Sequence, residues 1–192
     1  MQSVGDQRFE AMTMPHVNAL FQTALRLTEN RASAEDVVQQ ACACAWKSFD
    51  RRNEWNDWRL RLFKILIQQI HRRNRGSFGA WLSELDQTSE EYMEEPSEPD
   101  AFSYSPDQVV FALTRVSVVF REIILLVDCQ EFSYKEAADI LGLSTDVIAD
   151  RLVLGRKHLR SELATVHSTM NAPSKNQPFL SQELRQLRGP FA

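Results

Sequence analysis

Three rings, Trp55, Trp58 and Phe63, stand among five cations, Arg51, Arg52, Arg59, Arg61 and Lys64, in one short stretch. Aromatics beside cations suit single-stranded nucleic acid, because unpaired bases stack on rings while phosphates draw countercharge. Trp58 and Phe63 fit equally well as core residues, whereas Trp55 fits better as an exposed one. The basic run Arg72-Arg73-Asn74-Arg75 extends the set, although cations near a helix C-terminus are also what the helix dipole favours. A second group, Thr145, Asp146, Ala149 and Asp150 followed by Arg151, Arg156, Lys157, His158 and Arg160, begins a helix preceded by a shorter one. In a helix-turn-helix the early residues of the second helix meet base edges, and its basic half holds phosphates. The alternative is a three-helix protein–protein module whose charges form a solvated face.

Bond-making chemistry has no comparable foothold. The four histidines, His16, His71, His158 and His167, lie apart, and neither a Gly-rich phosphate loop nor a His-x-x-His pattern is present. Ser, His and Asp occur without a recognisable catalytic context. Of three cysteines, Cys42 and Cys44 sit one residue apart without the further ligands that a closed zinc site needs. They read as small thiols in a reducing compartment. The expectation is a protein that is not an enzyme and has neither cofactor nor catalytic residue nor metal.

The elements that would position these residues are helices. Glycine is scarce, with six in 192 residues, and alternating apolar strands are hard to find. Leu20, Phe21, Ala24, Leu25 and Leu27 make one apolar face, ended by Asn30-Arg31. Ser33, with Asp36 three residues on, reads as the cap of a second helix carrying Ala34, Val37, Val38, Ala41, Ala45 and Phe49. A third helix from about Trp58 to Arg75 turns Trp58, Leu62, Ile65, Leu66 and Ile70 inward. Its outer side bears Arg59, Arg61, Lys64, Gln68, His71 and Arg72. Ser105-Pro106-Asp107-Gln108 is a strong helix start. Ser133 and Glu136 form a second capping box, Gly142 ends that helix, and Ser144 or Thr145 caps another running to about Leu163. The spacing predicts an all-α chain of two small helical domains, at about 10–80 and 106–165, joined by a flexible acidic linker at 81–105. Residues 166–192, with three prolines, read as a loose tail.

Charge supports that division. The net charge is −4, which at first argues against nucleic acid. Yet His16–Ala80 holds eleven basic against six acidic side chains, and Trp81–Gln108 holds nine acids and no base. Whole-chain pI hides such an asymmetry. No apolar run approaches the ~20 residues of a membrane span, and the first residues lack the features of a signal peptide. A cytoplasmic protein without membrane insertion is expected.

Two segments resemble sigma factors of the extracytoplasmic-function (ECF) type, which keep the second and fourth conserved regions of the sigma-70 family. Ala24–Gln40, with the Ala34-Glu35-Asp36-x-x-Gln39 core, then Ala45–Asp50, looks like region two. Arg121–Asp128, Phe132–Gly142 and Arg151-Leu152 look like region four. The resemblance implies that Asp36, Gln39 and Gln40 dock on core RNA polymerase. It implies that Arg51, Arg52, Asn53, Trp55, Arg59, Arg61, Lys64, Gln68, His71 and Arg72 bind the opened minus-ten element of promoter DNA. Thr145, Asp146, Ala149, Asp150, Arg151, Arg156 and Lys157 would take the minus-thirty-five element, and an anti-sigma factor is a possible further partner. A base flipped into the Asp50–Asp57 loop would be read by its exposed edge.

The chain also departs from the family pattern. Arg61 replaces a usual Trp, Gln68 and His71 replace a common Asn and Asp, and Val116-Ser117 replaces Leu-Pro. Asp146-Val147-Ile148-Ala149-Asp150-Arg151 stands for Gly-Thr-Val-Lys-Ser-Arg, and Leu154 for a base. Each lost phosphate partner should weaken binding and flatten its salt dependence. A sigma-like regulatory protein that binds polymerase or a regulator without reading promoters is the alternative function.

Overall fold

The computed structural model describes residues 4–49, 57–73 and 104–171. The Asp50–Asn56 stretch and the greater part of the acidic segment lie outside these, as does the chain beyond Asn171. Three helices form a first group: α1 (Val4–Thr28), α2 (Arg31–Lys47) and α3 (Trp58–Arg73). Four form a second: α4 (Pro106–Arg115), α5 (Val118–Ile124), α6 (Tyr134–Leu141) and α7 (Thr145–Asn171). A single π-turn, Leu125–Cys129, continues α5. The described residues contain no strand, in line with the all-α expectation.

In the first group, α2 presents Ala34, Val37, Val38, Ala41 and Ala45, all buried. Side chains this small let α1 and α3 approach α2 closely and fill the space with Leu20, Leu25, Leu62, Phe63 and Leu66. Pro15 lies inside α1, where its missing N–H leaves the Ala11 carbonyl without its helical donor. Both residues are exposed, so water can serve that carbonyl. The α1–α2 corner departs from the expectation at Ser33. Asn30 is the N-cap, accepting from the Ser33 N–H at 2.9 Å, and the helix begins at Arg31. Glu29 takes the left-handed conformation (φ 53°) that releases the chain from α1. Phe49 falls just past the end of α2 rather than within it.

The second group follows the sequence more closely. Ser105 and Gln108 close the capping box of α4 with Pro106 at its first turn, and Ser133 and Glu136 close that of α6. Gly142 ends α6 in the left-handed region (φ 69°) that glycine adopts without steric cost. The Ser144 hydroxyl accepts from the Val147 N–H at 3.3 Å, which makes Ser144 the cap of α7. That helix runs on to Asn171 rather than stopping near Leu163, so the first residues of the expected tail are helical. Val166, 3% exposed, extends its apolar face one turn further against Ala112 and Leu163.

The α6 box carries a pH signature. Hydrogen bonds from the Ser133 hydroxyl and then its backbone N–H hold the Glu136 carboxyl below its ordinary value. A lowered folded value contributes stability above the unfolded carboxylate pKa of about 4.3, lost as pH falls through the folded value. Ser133→Ala should therefore cost about 1 kcal/mol at pH 7. Urea midpoints at neutral and acidic pH should show the gap from the parent protein narrowing once Glu136 is protonated.

Gly155 sits mid-helix in α7, where glycine costs about 1 kcal/mol relative to alanine. A Cβ there would meet Phe120 Cβ at 3.0 Å and Ile124 Cδ1 at 3.2 Å. The glycine therefore sets how closely α7 lies on α5. Gly155→Val should lower stability by about 1–3 kcal/mol through overpacking, checked by thermal melting.

The two groups do not stand apart. One continuous core runs from Leu20, Leu62 and Phe63 to Phe120, Phe132, Ile148 and Leu152. Phe63 of α3 meets Phe132 edge to face, their centroids 5.1 Å apart. Arg121, 4% exposed, reaches from α5 to the Glu29 carboxylate and the Arg26 carbonyl of α1. The sequence had led us to expect helical bodies held together only by their tether. The described residues instead share an interior.

Candidate nucleic-acid interface

Helix α3 was expected to show a basic outer side. Only Gln68 and Arg72 of that set are exposed; Arg59, Arg61, Lys64 and His71 are half-buried. The physical reason is the second group, which covers one flank. Arg59 donates to the Gln130 carbonyl, and its guanidinium lies 4.2 Å from the centre of the Phe132 ring. Lys64 Nζ pairs with Asp139 Oδ1 of α6 at 2.7 Å. His71 Nε2 meets Glu122 Oε1 of α5 at 2.8 Å, and that carboxylate is 2% exposed. Burial, and then the nearby Arg59 charge, hold the His16 imidazole below its ordinary value, so His16 adds no cation here at neutral pH.

The aromatic residues divide as their burial dictates. Trp58 is 5% exposed and donates its indole N–H to Thr13 Oγ1 at 3.2 Å. It packs edge to face with Phe9 and Phe49. Phe63 is fully buried. Both are core residues, the second of the two readings their spacing allowed. Arg51, Arg52, Asn53 and Trp55 lie outside the described residues.

On α2 the charged and amide residues point away from the alanine face. Gln39 and Gln40 are exposed, and Asp36 is half-buried and paired with Arg73 of α3. Cys42 and Cys44 are half-buried thiols, with Gln69 Nε2 donating to Cys44 Sγ at 3.4 Å. No cluster of three or more metal-binding side chains occurs among the described residues, nor any helix long and apolar enough to cross a membrane.

The helix-turn-helix forms as its caps and glycine dictate. Thr145, Asp146 and Asp150 are exposed on the first turns of α7, and Ala149 is half-buried. Arg151 is half-buried; burial lowers its pKa, opposed by the charge of Glu122 nearby. Arg156 is held by Asp128 of the π-turn through Nε at 3.1 Å and Nη2 at 2.5 Å. Lys157 is half-buried, while Val153 and Leu154 stand 67% and 41% exposed. The leading face of α7 thus offers two carboxylates and a hydroxyl, with its cations further along or already paired.

Residues 12–63 match the family described as Sigma-70 region 2, and residues 109–159 match Sigma-70, region 4. The chain is 24% identical over 189 residues to "ECF RNA polymerase sigma factor SigE" of Mycolicibacterium smegmatis, covering 90% of this chain and 69% of that one. It is 28% identical over 154 residues to "ECF RNA polymerase sigma factor SigL" of Mycobacterium tuberculosis, covering 77% and 84%. This chain belongs to the ECF sigma factors. The sigma factor's fold resembles that of RpoE from Bartonella quintana, solved with the anti-sigma factor NepR. That likeness has a TM-score of 0.60 and 26% identity, over 82% of this chain and 98% of that one. CnrH, solved with the cytosolic domain of CnrY, matches at 0.59 and 25%, over 83% and 90%.

The region-two match contains α2, the Asp50–Asn56 stretch and the start of α3; the region-four match runs from α4 into α7. Sequence reasoning missed the residues joining the two regions of this sigma factor: Arg121, Glu122, Gln130, Phe132 and Asp139. A signal was available in Arg121-Glu122, two adjacent charges inside the apolar run Val118–Val127. Charges there must be buried with partners or break the helix's packing.

Proposed function

We infer that this sigma factor binds core RNA polymerase in the cytoplasm and directs initiation at a subset of promoters. The observation that carries the reading is the presence of both regions in family order, each built as a helical unit. Asp36, Gln39 and Gln40 are assigned to polymerase, all on the outward side of α2. Helix α3 and the adjoining Arg51–Trp55 stretch are assigned to the minus-ten strand. Thr145, Asp146, Ala149, Asp150 and Arg151 are assigned to the minus-thirty-five duplex, with Arg156 and Lys157 against its phosphates. An anti-sigma factor is assigned as a second class of protein partner, since one neighbour in fold was solved with an anti-sigma factor. Adding purified protein to core polymerase should yield promoter-dependent transcripts whose starts can be mapped. No association with core at micromolar concentration would overturn the reading.

One observation favours a second reading, a regulator that binds polymerase without selecting promoters. The face of α7 that should meet bases carries Asp146 and Asp150, and Arg156 is engaged by Asp128. Phosphate binding by Arg156 would have to displace that carboxylate. Gel shifts with Ala149→Lys/Asp150→Ser decide between the two. If the variant binds minus-thirty-five DNA no better than the parent, the argument from lost contacts fails, and with it the support for the regulator reading.

A further inference from the structure

We propose that the second helical group serves as an internal stand-in for DNA on the minus-ten flank of α3, so that capturing the promoter strand requires the two groups to part. The inference rests on the minus-ten assignment of α3 and adds its regulation. A single strand offers a binding face anionic oxygens, carbonyl acceptors and flat π-surfaces. The second group offers the same three. Asp139 supplies a carboxylate to Lys64 at 2.7 Å, and Glu122 supplies one to His71 at 2.8 Å. Gln130 supplies a carbonyl to Arg59, and Phe132 lies under the Arg59 guanidinium at 4.2 Å as a stacked base would. Cations held in this way must give up or share those contacts to hold DNA.

The seam is built to separate as well as to close. A cleft of about 390 Å³ lies between α3 and α6, lined by Lys64, Gln68, His71 and Asp139 together with apolar residues such as Ile67 and Ile140, so the junction is not closely packed there. Glu122 and Arg121 are 2% and 4% exposed. Parting the groups returns such charges to water, which offsets part of the cost of uncovering Phe63 and Phe132. Gln68 and Arg72 stay exposed on α3 beside the seam, where an arriving strand can begin to bind. Because the competitor is covalently attached, a free strand competes against an effective concentration rather than a bulk one.

The test uses the full chain and a short fluorescein-labelled oligo(dT) strand at low salt. Asp139→Lys/Glu122→Gln removes both internal carboxylates without substituting any residue of α3. Small-angle scattering should show a larger radius of gyration, and anisotropy should show about tenfold tighter binding, if the open fraction was about a tenth. Adding Arg59→Ala/Lys64→Ala to that background should abolish the gain. If the chain expands, affinity is unchanged and those two alanines have no effect, the minus-ten assignment itself fails and the inference with it. If affinity depends on Arg59 and Lys64 but is the same in compact and expanded chains, the assignment stands and the inference is overturned. An unchanged radius of gyration also overturns it. Should the double variant not fold, Asp139→Lys alone, at an exposed site, carries the same comparison with a smaller shift.

Discussion

Arg121→Met is expected to lower folding stability by about 2–4 kcal/mol, because it leaves several carbonyl acceptors without their donor. The side chain is 4% exposed and does more than pair with Glu29. Its guanidinium donates to the carbonyls of Arg26 at 3.0 Å, Thr114 at 2.5 Å and Val116 at 2.8 Å. Those carbonyls lie at the C-terminal ends of α1 and α4, where the last acceptors lack helical donors and the dipole is negative. Methionine fills much of the space but leaves the acceptors facing an apolar chain. Lysine would rescue little, because a point charge cannot replace a planar fork aimed at several acceptors. Urea unfolding followed by circular dichroism measures the loss. A change below about 1 kcal/mol, within the range of an ordinary single hydrogen bond, would show that these contacts do not hold the two regions together.

Phe63→Ala should cost a comparable amount, about 3–5 kcal/mol, because the ring is fully buried and its removal leaves a cavity that the helices cannot close. Its position makes the result diagnostic. The ring lies in the first group yet packs against Phe132 in the second and carries part of the shared core. Both halves should unfold in one transition. Trp46 and Trp58 belong to the first group, and its second-group counterpart Phe132→Ala should shift their fluorescence midpoint as far as the circular-dichroism midpoint. Two separated transitions would mean that the halves are thermodynamically independent.

Much of the second group was legible because its boundaries rest on local chemistry. Ser105, Ser133 and Gly142 each act within four residues of themselves, and each does what its type and spacing imply. The corner at Asn30 was misread because two cap-competent residues stand three apart. The first took the cap, and Ser33 supplied the backbone N–H that satisfies it. The extension of α7 was hidden by Thr165, Ser168 and Thr169, which favour caps and turns. Their hydroxyls instead bond the carbonyls four residues back, at 3.0, 2.9 and 2.8 Å, and the Leu163–Val166 step already carried the period. The seam was illegible for a different reason. Lys64 with Asp139, and His71 with Glu122, are dozens of residues apart in sequence, and no spacing rule connects them. An amphipathic pattern identifies which flank of α3 is polar without saying whether water, DNA or the chain's own carboxylates will meet it.

Helix α2 separates two obligations that many helices must reconcile. Its inward alanines leave no room for a larger side chain without prising α1 from α3, so that face can scarcely vary. Gln39 and Gln40, on the opposite face, touch nothing that the bundle needs. Exchanging those outward residues changes what the helix presents to solvent, with no compensating change needed beneath them.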